Sequence, residues 1–235
     1  MTREREHVTT GRIPTPRIGD EGGLEEARAA RRRLLAASLA GLALAGMPLA
    51  GRAQARTPTP RQTAGPFYPN DFPADDDNDL VSVKGQAGIA QGELLLLTGV
   101  VVDTGGKPVA GARVEIWQCN GLGRYHHPGD RSSAPLDPAF QGWGQFVTGA
   151  DGAYRFRTIK PVPYPGRTPH IHFRVTGRGI QDLVTQMYVE GEPGNARDGL
   201  YGSLDPRDRA LVTVRLDRAA DGKALAGRFE IVVRS

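Results

Sequence analysis

The sharpest chemical signal in this 235-residue chain is Thr168-Pro169-His170-Ile171-His172-Phe173. Alternate side chains of an extended segment share a face, so His170 and His172 point one way and Ile171, Phe173 and Val175 the other. Two imidazoles so spaced can hold one metal ion; they can equally be two solvent-facing histidines, and the pair alone does not choose. Of the five histidines, the others are His7 and the adjacent His126 and His127, which follow Tyr125. No carboxylate or further cysteine lies near the pair in sequence to complete an ordinary zinc set. A different donor is close by. Tyr164 stands between Pro163 and Pro165, whose fixed φ stiffens the backbone carrying the phenol. A phenol titrates near about 10 and becomes a ligand only where a strongly acidic cation takes its proton. Ferric iron suits such an oxygen, as in haem proteins ligated by tyrosine. As plain structure, Tyr164 is a turn residue over a sheet edge, Arg167 a surface arginine in a proline-rich loop, and Gln186 one polar position on a strand.

Other reactive types carry less. Cys119 is the only cysteine, which excludes a disulfide scaffold, an iron–sulfur cluster and a cysteine-rich zinc site; its simplest reading is a small buried apolar residue. The acidic run Asp75-Asp76-Asp77-Asn78-Asp79 fails as a calcium loop. Counted from Asp75, the positions that need Gly and Glu are Leu80 and Gln86, so a solvated loop is expected.

The elements that must position these residues read as strands. Glycine at 31 and proline at 18 exceed a fifth of the chain, which argues for short strands joined by turns. Leu94–Val102 is an apolar run of strand length, followed by the turn Asp103-Thr104-Gly105-Gly106-Lys107-Pro108. Ala112–Gln118 alternates, with Ala112, Val114 and Ile116 opposite Arg113, Glu115 and Trp117, and so predicts a half-buried strand. Gln145–Thr148 and Ala153–Thr158 flank an Asp-Gly turn as a hairpin. Pro169–Thr176, Leu183–Val189, Leu211–Leu216 and Arg228–Val233 supply four more strands. The expectation is a mainly β fold, a two-sheet antiparallel β-sandwich with long irregular loops and no persuasive helical period after Ala55.

Residues 1–55 read as an address. Arg31-Arg32-Arg33 precedes the uncharged Leu34–Ala50, and Ala53-Gln54-Ala55 has the small-x-small form of a cleavage site. Arginines abutting the apolar run resemble a twin-arginine export signal, although Ala30 and Leu34 replace the usual flanking Ser and Phe, which keeps a general secretory signal or a retained anchor open. The expected location is periplasmic or extracellular. The leader carries 9 of the 30 Lys/Arg and 6 of the 26 Asp/Glu, leaving 21 against 20 and a net charge of +1. No basic stretch with interleaved aromatics supports nucleic-acid binding. Residues 56–93, with Pro58, Pro60, Pro66, Pro69 and Pro73, form an irregular arm, and 94–235 the sandwich.

Several stretches together carry a resemblance: Trp117 to Tyr125, Phe140-Gln141-Gly142-Trp143-Gly144, Asp151 to Pro161, Pro163-Tyr164-Pro165, and Arg167 with His170-Ile171-His172-Phe173. In this order, over roughly residues 62–192, the chain resembles the intradiol ring-cleavage dioxygenases, with Gly65-Pro66-Phe67-Tyr68-Pro69 also common among relatives. The resemblance implies a prealbumin-like sandwich and one non-haem Fe(III) ion held by Tyr125, Tyr164, His170 and His172. Tyr164 and His172 would be axial, and Arg167 and Gln186 active-site residues beside the substrate. It implies cleavage of a catechol by dioxygen between the hydroxylated carbons, giving a cis,cis-muconate-type diacid. The partners it implies are the catecholic small molecule and dioxygen, with a homo-oligomer open. Protocatechuate-cleaving members usually have Trp after Pro-Tyr-Pro and a longer insertion before the Arg; here Gly166 follows directly, which implies a more open pocket. The competing reading is a non-enzymatic exported transthyretin-like module, supported by Leu97 to Asp103 and Gly111 to Val114, a pattern shared by many sandwiches.

Overall fold

The structure is a computed structural model and describes residues 55–235; the leader read at 1–55 lies, but for Ala55, outside the described residues. Nine strands form two sheets. One has the order β4 (Ala153–Ile159), β1 (Leu94–Asp103), β9 (Leu225–Val233), β8 (Asp217–Arg218). The other has the order β3 (Trp143–Val147), β2 (Arg113–Trp117), β5 (His170–Thr176), β6 (Leu183–Val189), β7 (Thr213–Val214). The sandwich is the expected one, but its sheets are mixed. β1 pairs antiparallel with β4 and parallel with β9, and β6 pairs parallel with β7.

Alternation builds the core. Leu95, Leu97 and Val101 of β1 and Tyr154 and Phe156 of β4 meet Val114 and Ile116 of β2 and Ile171, Phe173 and Val175 of β5 across the interior. At Gly99, in the middle of β1, alternation leaves no room for a side chain. A Cβ there would lie 1.9 Å from the Phe229 carbonyl oxygen and 2.4 Å from the Tyr154 hydroxyl. Tyr154 Oη crosses that gap to donate to the Phe229 carbonyl at 2.6 Å.

Three details depart from the sequence reading. β2 is not half-buried: Glu115 and Trp117 on its outer face are buried too, because the arm lies across them. Tyr68 of the arm donates to Glu115 Oε2 at 2.6 Å and packs its ring edge against Trp117 at 4.9 Å. The acidic run is not wholly solvated either. Asp75 is buried, and its carboxylate accepts from the Lys84 backbone N–H at 2.8 Å and from Lys84 Nζ at 2.9 Å. The residues after it shield sheet edges: the Asp76 and Asp77 carbonyls accept from Gln145 N of β3, and Asn78 O accepts from Arg157 N of β4.

Short helices also occur. A 3-10 turn spans Pro193–Arg197, α1 spans Gly199–Gly202 and α2 spans Pro206–Val212. At 4 and 7 residues, α1 and α2 are too short to display a hydrophobic period. Aspartate caps both, Asp198 accepting from Leu200 N and Tyr201 N and Asp205 from Asp208 N. Among the described residues, no helix is long and apolar enough to cross a membrane.

The close approach at Gly99 yields a stability prediction. Gly99→Ala should destabilise the fold by at least about 1–3 kcal/mol, since backbone and a hydrogen-bonded phenol must both shift. Gly199→Ala, whose added methyl meets nothing within 4 Å, serves as the control. Urea midpoints read the difference, and equal midpoints for the two variants would contradict the packing argument.

Candidate metal centre

Outside the sheet β3-β2-β5-β6-β7, a second buried cluster gathers Trp117, Cys119, Tyr125 and Trp143, with Phe67, Tyr68, Val162 and Tyr164 packed against it. Strand register delivers part of it. Trp117 of β2 pairs with His172 of β5, and His172 with Gln186 of β6, so the three lie in one row. His170 is likewise paired with Tyr188. Both histidines are almost wholly buried. The face that alternation assigns to them is covered rather than open, because the arm presses on it: a Cβ at Gly65 would come within 3.3 Å of His172 Cε1.

The two phenols arrive on loops. Tyr164, Pro165, Gly166 and Arg167 form a tight turn closed by Arg167 N donating to Tyr164 O at 2.9 Å, with Gly166 at φ 83°. Proline followed by a glycine of positive φ is the type II pattern, which accounts for Gly166 here. The turn sets Tyr164 beside Arg167, with Arg167 Nη1 at 3.5 Å from Tyr164 Oη. Tyr125 sits in a loop pinned by Asn120, whose Oδ1 accepts from Leu122 N and Arg124 N. Asp130 Oδ2 accepts from the Tyr125 N–H at 2.7 Å. The ring of Phe67, from the arm, stacks on Tyr125 at 4.6 Å and stands edge-on to Tyr164 at 6.2 Å.

The four rings close a circuit. Centroid separations are 5.3 Å for Tyr125–Tyr164, 5.4 Å for Tyr164–His170, 4.8 Å for His170–His172 and 6.4 Å for His172–Tyr125. His170 Nδ1 lies 2.6 Å from the Thr168 carbonyl, which can only accept, so Nδ1 carries the proton and Nε2 presents a lone pair. That nitrogen faces His172 Nε2 at 3.2 Å. Two nitrogens each about 2.1 Å from one ion on neighbouring vertices would stand about 3 Å apart, so the spacing suits a shared cation. Tyr125 Oη is buried and has no hydrogen-bond partner, which in a folded protein calls for an explanation. Among the described residues no group of three His, Cys, Asp or Glu side chains converges, and the rings of Tyr125 and Tyr164 are the oxygen-bearing neighbours of the pair.

Burial favours the neutral form of all four groups. Burial, then the neighbouring Tyr164, pushes the Tyr125 phenol well above the ordinary range. Burial raises Tyr164 as well, against the lowering effect of Arg167. Burial, with the Arg167 charge, pulls His170 down to about 4, and burial, His170 and Arg167 pull His172 well below 6.5. At neutral pH the pocket by itself is four neutral donors, and only a cation inverts that logic to give phenolates.

Arg167 and Gln186 stand beside this ring, held by residues that the sequence did not single out. Arg167 Nη2 donates to Gln186 Oε1 at 2.6 Å, and Gln186 Nε2 donates to the Thr63 carbonyl at 2.9 Å. Tyr188 Oη donates to Gln62 Oε1 at 2.7 Å. Arg167 Nε donates to Asp198 Oδ2 at 2.8 Å, and that carboxylate has no solvent exposure. Tyr188 had a local signal, two residues after Gln186 on the same strand face. Gln62, Thr63 and Asp198 had none, whereas Phe67 lies in the Gly65–Pro69 stretch noted above. A cleft of about 410 Å³, lined by Pro163, Gly166, Arg167, Thr168 and Arg197 among others, opens beside Arg167. His126 is exposed and His127 Nδ1 accepts from Gly129 N, so neither belongs to the four-ring circuit. Cys119 is buried, with its thiol pushed up to about 12 by burial.

A fold with two tyrosines and two histidines so placed defines a class, and comparison with known proteins gives the same one. The family model Dioxygenase_C, described as dioxygenase, matches residues 63–235. The protocatechuate 3,4-dioxygenase beta chain of Burkholderia cepacia is 44% identical over 168 residues, which cover 67% of this chain and 72% of that one. The hydroxyquinol 1,2-dioxygenase of a Rhizobium strain is 35% identical over 156 residues, covering 59% of this chain and 50% of its own, so this chain spans only half of that relative. The dioxygenase domain of a carbohydrate-binding fusion protein from Streptomyces sp. SirexAA-E superposes with a TM-score of 0.59 at 34% identity, covering 75% of this chain and 97% of that domain. The chain belongs to the intradiol ring-cleavage dioxygenase family.

The buried carboxylate beside Arg167 gives a pH prediction. Burial pushes Asp198 up, but the N–H groups of Tyr201 and Thr168 and the Arg167 guanidinium outweigh it and hold the carboxyl below its ordinary value. The unfolded chain therefore takes up the proton first. The stability that the carboxylate contributes is complete above about pH 4 and is lost as pH falls through the folded-state value. The urea-midpoint gap between wild type and Asp198→Asn should be narrower at pH 3 than at pH 7; an equal gap at both would contradict this.

Proposed function

We propose that Tyr125, Tyr164, His170 and His172 hold one non-haem ferric ion, and that the protein uses dioxygen to cleave a catechol between its hydroxylated carbons. The observation that carries the reading is the closed circuit of two phenols and two imidazoles around a buried, unpartnered Tyr125 oxygen. Two phenolates and two neutral imidazoles are a hard, anionic donor set that suits a trivalent ion better than Zn(II) or Cu(I). A ferric ion bound there would supply Lewis acidity toward the paired oxygens of a catechol and draw electron density from its ring.

The chain's own residues have separable tasks. Tyr125 is fully buried and stacked on Phe67, so it is a fixed donor. Tyr164 is only half-buried and sits on a turn, so of the two phenols it is the one with room to move, and as a metal-bound phenolate it would be the one to accept a catechol proton at Oη. Arg167 presents Nη1 on the side of Tyr164, where a preorganised cation stabilises negative charge developing on the substrate ring. Gln186 holds Arg167 and lies beside the same space. Phe67 and Trp117 wall the centre and keep water from the buried donors. The open position at Gly166 leaves room for ring substituents; the relatives named above supply hydroxyquinol and protocatechuate as candidates, with catechol as the unsubstituted parent.

Purified protein loaded with ferric iron should show a visible phenolate-to-iron absorption, consume oxygen with at least one of these three substrates, and form the diacid. Tyr164→Phe should weaken the visible band, and Arg167→Gln should lower turnover about 10²–10³-fold. An iron-loaded but colourless protein, or one that takes up no metal, overturns the reading and returns the chain to a binding module. Export through residues 1–55 belongs to the same proposal. The mature chain recovered outside the cytoplasm should lack Leu34–Ala50 by mass spectrometry; a full-length chain found in membranes would point to an anchor.

A further inference from the structure

The position of Arg167 is set by a residue 31 places away. We propose that Asp198 is a positioning residue whose carboxylate orients the Arg167 guanidinium toward the reacting ring. The proposal rests on the reading of Arg167 as the cation beside the substrate.

Both oxygens of Asp198 are fully used. Oδ2 accepts from Arg167 Nε at 2.8 Å and from the Thr168 backbone N–H at 2.9 Å. Oδ1 accepts from Leu200 N at 3.0 Å and Tyr201 N at 2.9 Å, which caps α1. One oxygen therefore faces the arginine and the other the helix. A guanidinium is a planar fork, so fixing two of its nitrogens fixes the third. Asp198 holds Nε and Gln186 holds Nη2, which leaves Nη1 as the arm turned to Tyr164. Without Asp198 the guanidinium could rotate about the Gln186 contact. Charge matters too: the pair is nearly buried, with the Asp198 side chain at 0% exposure and that of Arg167 at 14%. An uncompensated cation in that place would recruit water or another anion.

A second tie lies next to the first and offers a control. Asn195 Oδ1 accepts from the Thr168 hydroxyl at 2.8 Å, and Asn195 Nδ2 donates to the Val189 carbonyl at 2.9 Å. Asn195 brackets the same loop without touching Arg167. The informative variant is Asp198→Asn. Its remaining oxygen can still cap α1, since asparagine caps as well as aspartate. Its amide nitrogen then meets the Arg167 and Thr168 N–H groups, donor against donor.

Two measurements test this on the full chain. The first is steady-state kinetics of the iron-loaded protein. Asp198→Asn should lower kcat about 10²-fold with KM little changed, because orientation of Arg167 counts in the transition state more than in substrate binding. Asn195→Ala should stay close to wild type. The second measurement needs no activity: phenylglyoxal labelling of Arg167, followed by peptide mass spectrometry, should be faster in Asp198→Asn than in wild type or Asn195→Ala. Unchanged kcat and unchanged labelling in Asp198→Asn overturn the proposal. So does an Asn195→Ala variant that reproduces both effects, since the loop bracket and not the carboxylate would then be responsible. If wild type cleaves no catechol, the ring-cleavage reading fails while the labelling still decides the positioning role. If Asp198→Asn does not fold, Asp198→Glu, which keeps the charge and moves it by one methylene, carries the same two readouts.

Discussion

The outer face of β5 has to stay dry, and much of this molecule follows from that. Four rings stand together there, three of them buried, and the buried Tyr125 oxygen has no hydrogen-bond partner. Each buried polar group without a partner costs on the order of 1–3 kcal/mol, so the arrangement needs support from its surroundings. The inner face of the same strand supplies some of it. Ile171, Phe173 and Val175 are fully buried in the interior and anchor β5 whatever its outer face does. Trp117 supplies more by stacking on His172 with centroids 4.8 Å apart and planes 6° from parallel. The arm closes the rest through Gly65, Phe67 and Tyr68. The second, aromatic core outside the sandwich covers polar rings that stand on the side of the sheet away from the first.

That division also separates stiffness from adjustability. The imidazoles stand on a strand hydrogen-bonded on both sides, and the Thr168 carbonyl fixes the tautomer of one of them. The phenols stand on loops. Tyr125 is immobilised by Asn120 and Asp130 beneath it and by Phe67 above it. Tyr164 is less enclosed and rides a four-residue turn whose other end is Arg167. Movement of Tyr164 is thereby coupled to Arg167 through a single Pro-Gly corner and not through a distant hinge.

What could be read from the sequence was what lies close together in it. His170 and His172 on one strand face are such a local pattern, and Tyr164 was legible as a turn residue between its prolines, while the corner that joins it to Arg167 is seen in the backbone alone. The core face of β5 was legible by alternation for the same reason, while β1 was legible only as an apolar run of strand length. The parallel pairing of β1 with β9 was not, because it joins Leu95 to Leu225 and no turn connects them to announce it. β2 was misjudged as half-buried because its polar Glu115 has a partner, Tyr68, in a segment with no periodicity of its own. The helices after Pro193 escaped notice because single turns held by one aspartate cap have no repeat to detect.

The same reasoning explains why the residues around Arg167 are scattered through the chain. Gln62 and Thr63 come from the arm, Gln186 and Tyr188 from β6, and Asp198 from the start of α1, and hydrogen bonds join all of them to the guanidinium directly or through one neighbour. A guanidinium beside the proposed metal centre would be repelled by a bound cation, and no single local segment could hold it there. Distributing its anchors over three elements means that no one loop movement releases it. The carboxylate is the strongest of these anchors because it alone offsets the charge, whereas the glutamine and tyrosine only share hydrogen bonds. With its side chain at 0% exposure and capping the N-terminus of α1, that carboxylate is kept from solvent, so water does not compete with the arginine for its compensating charge.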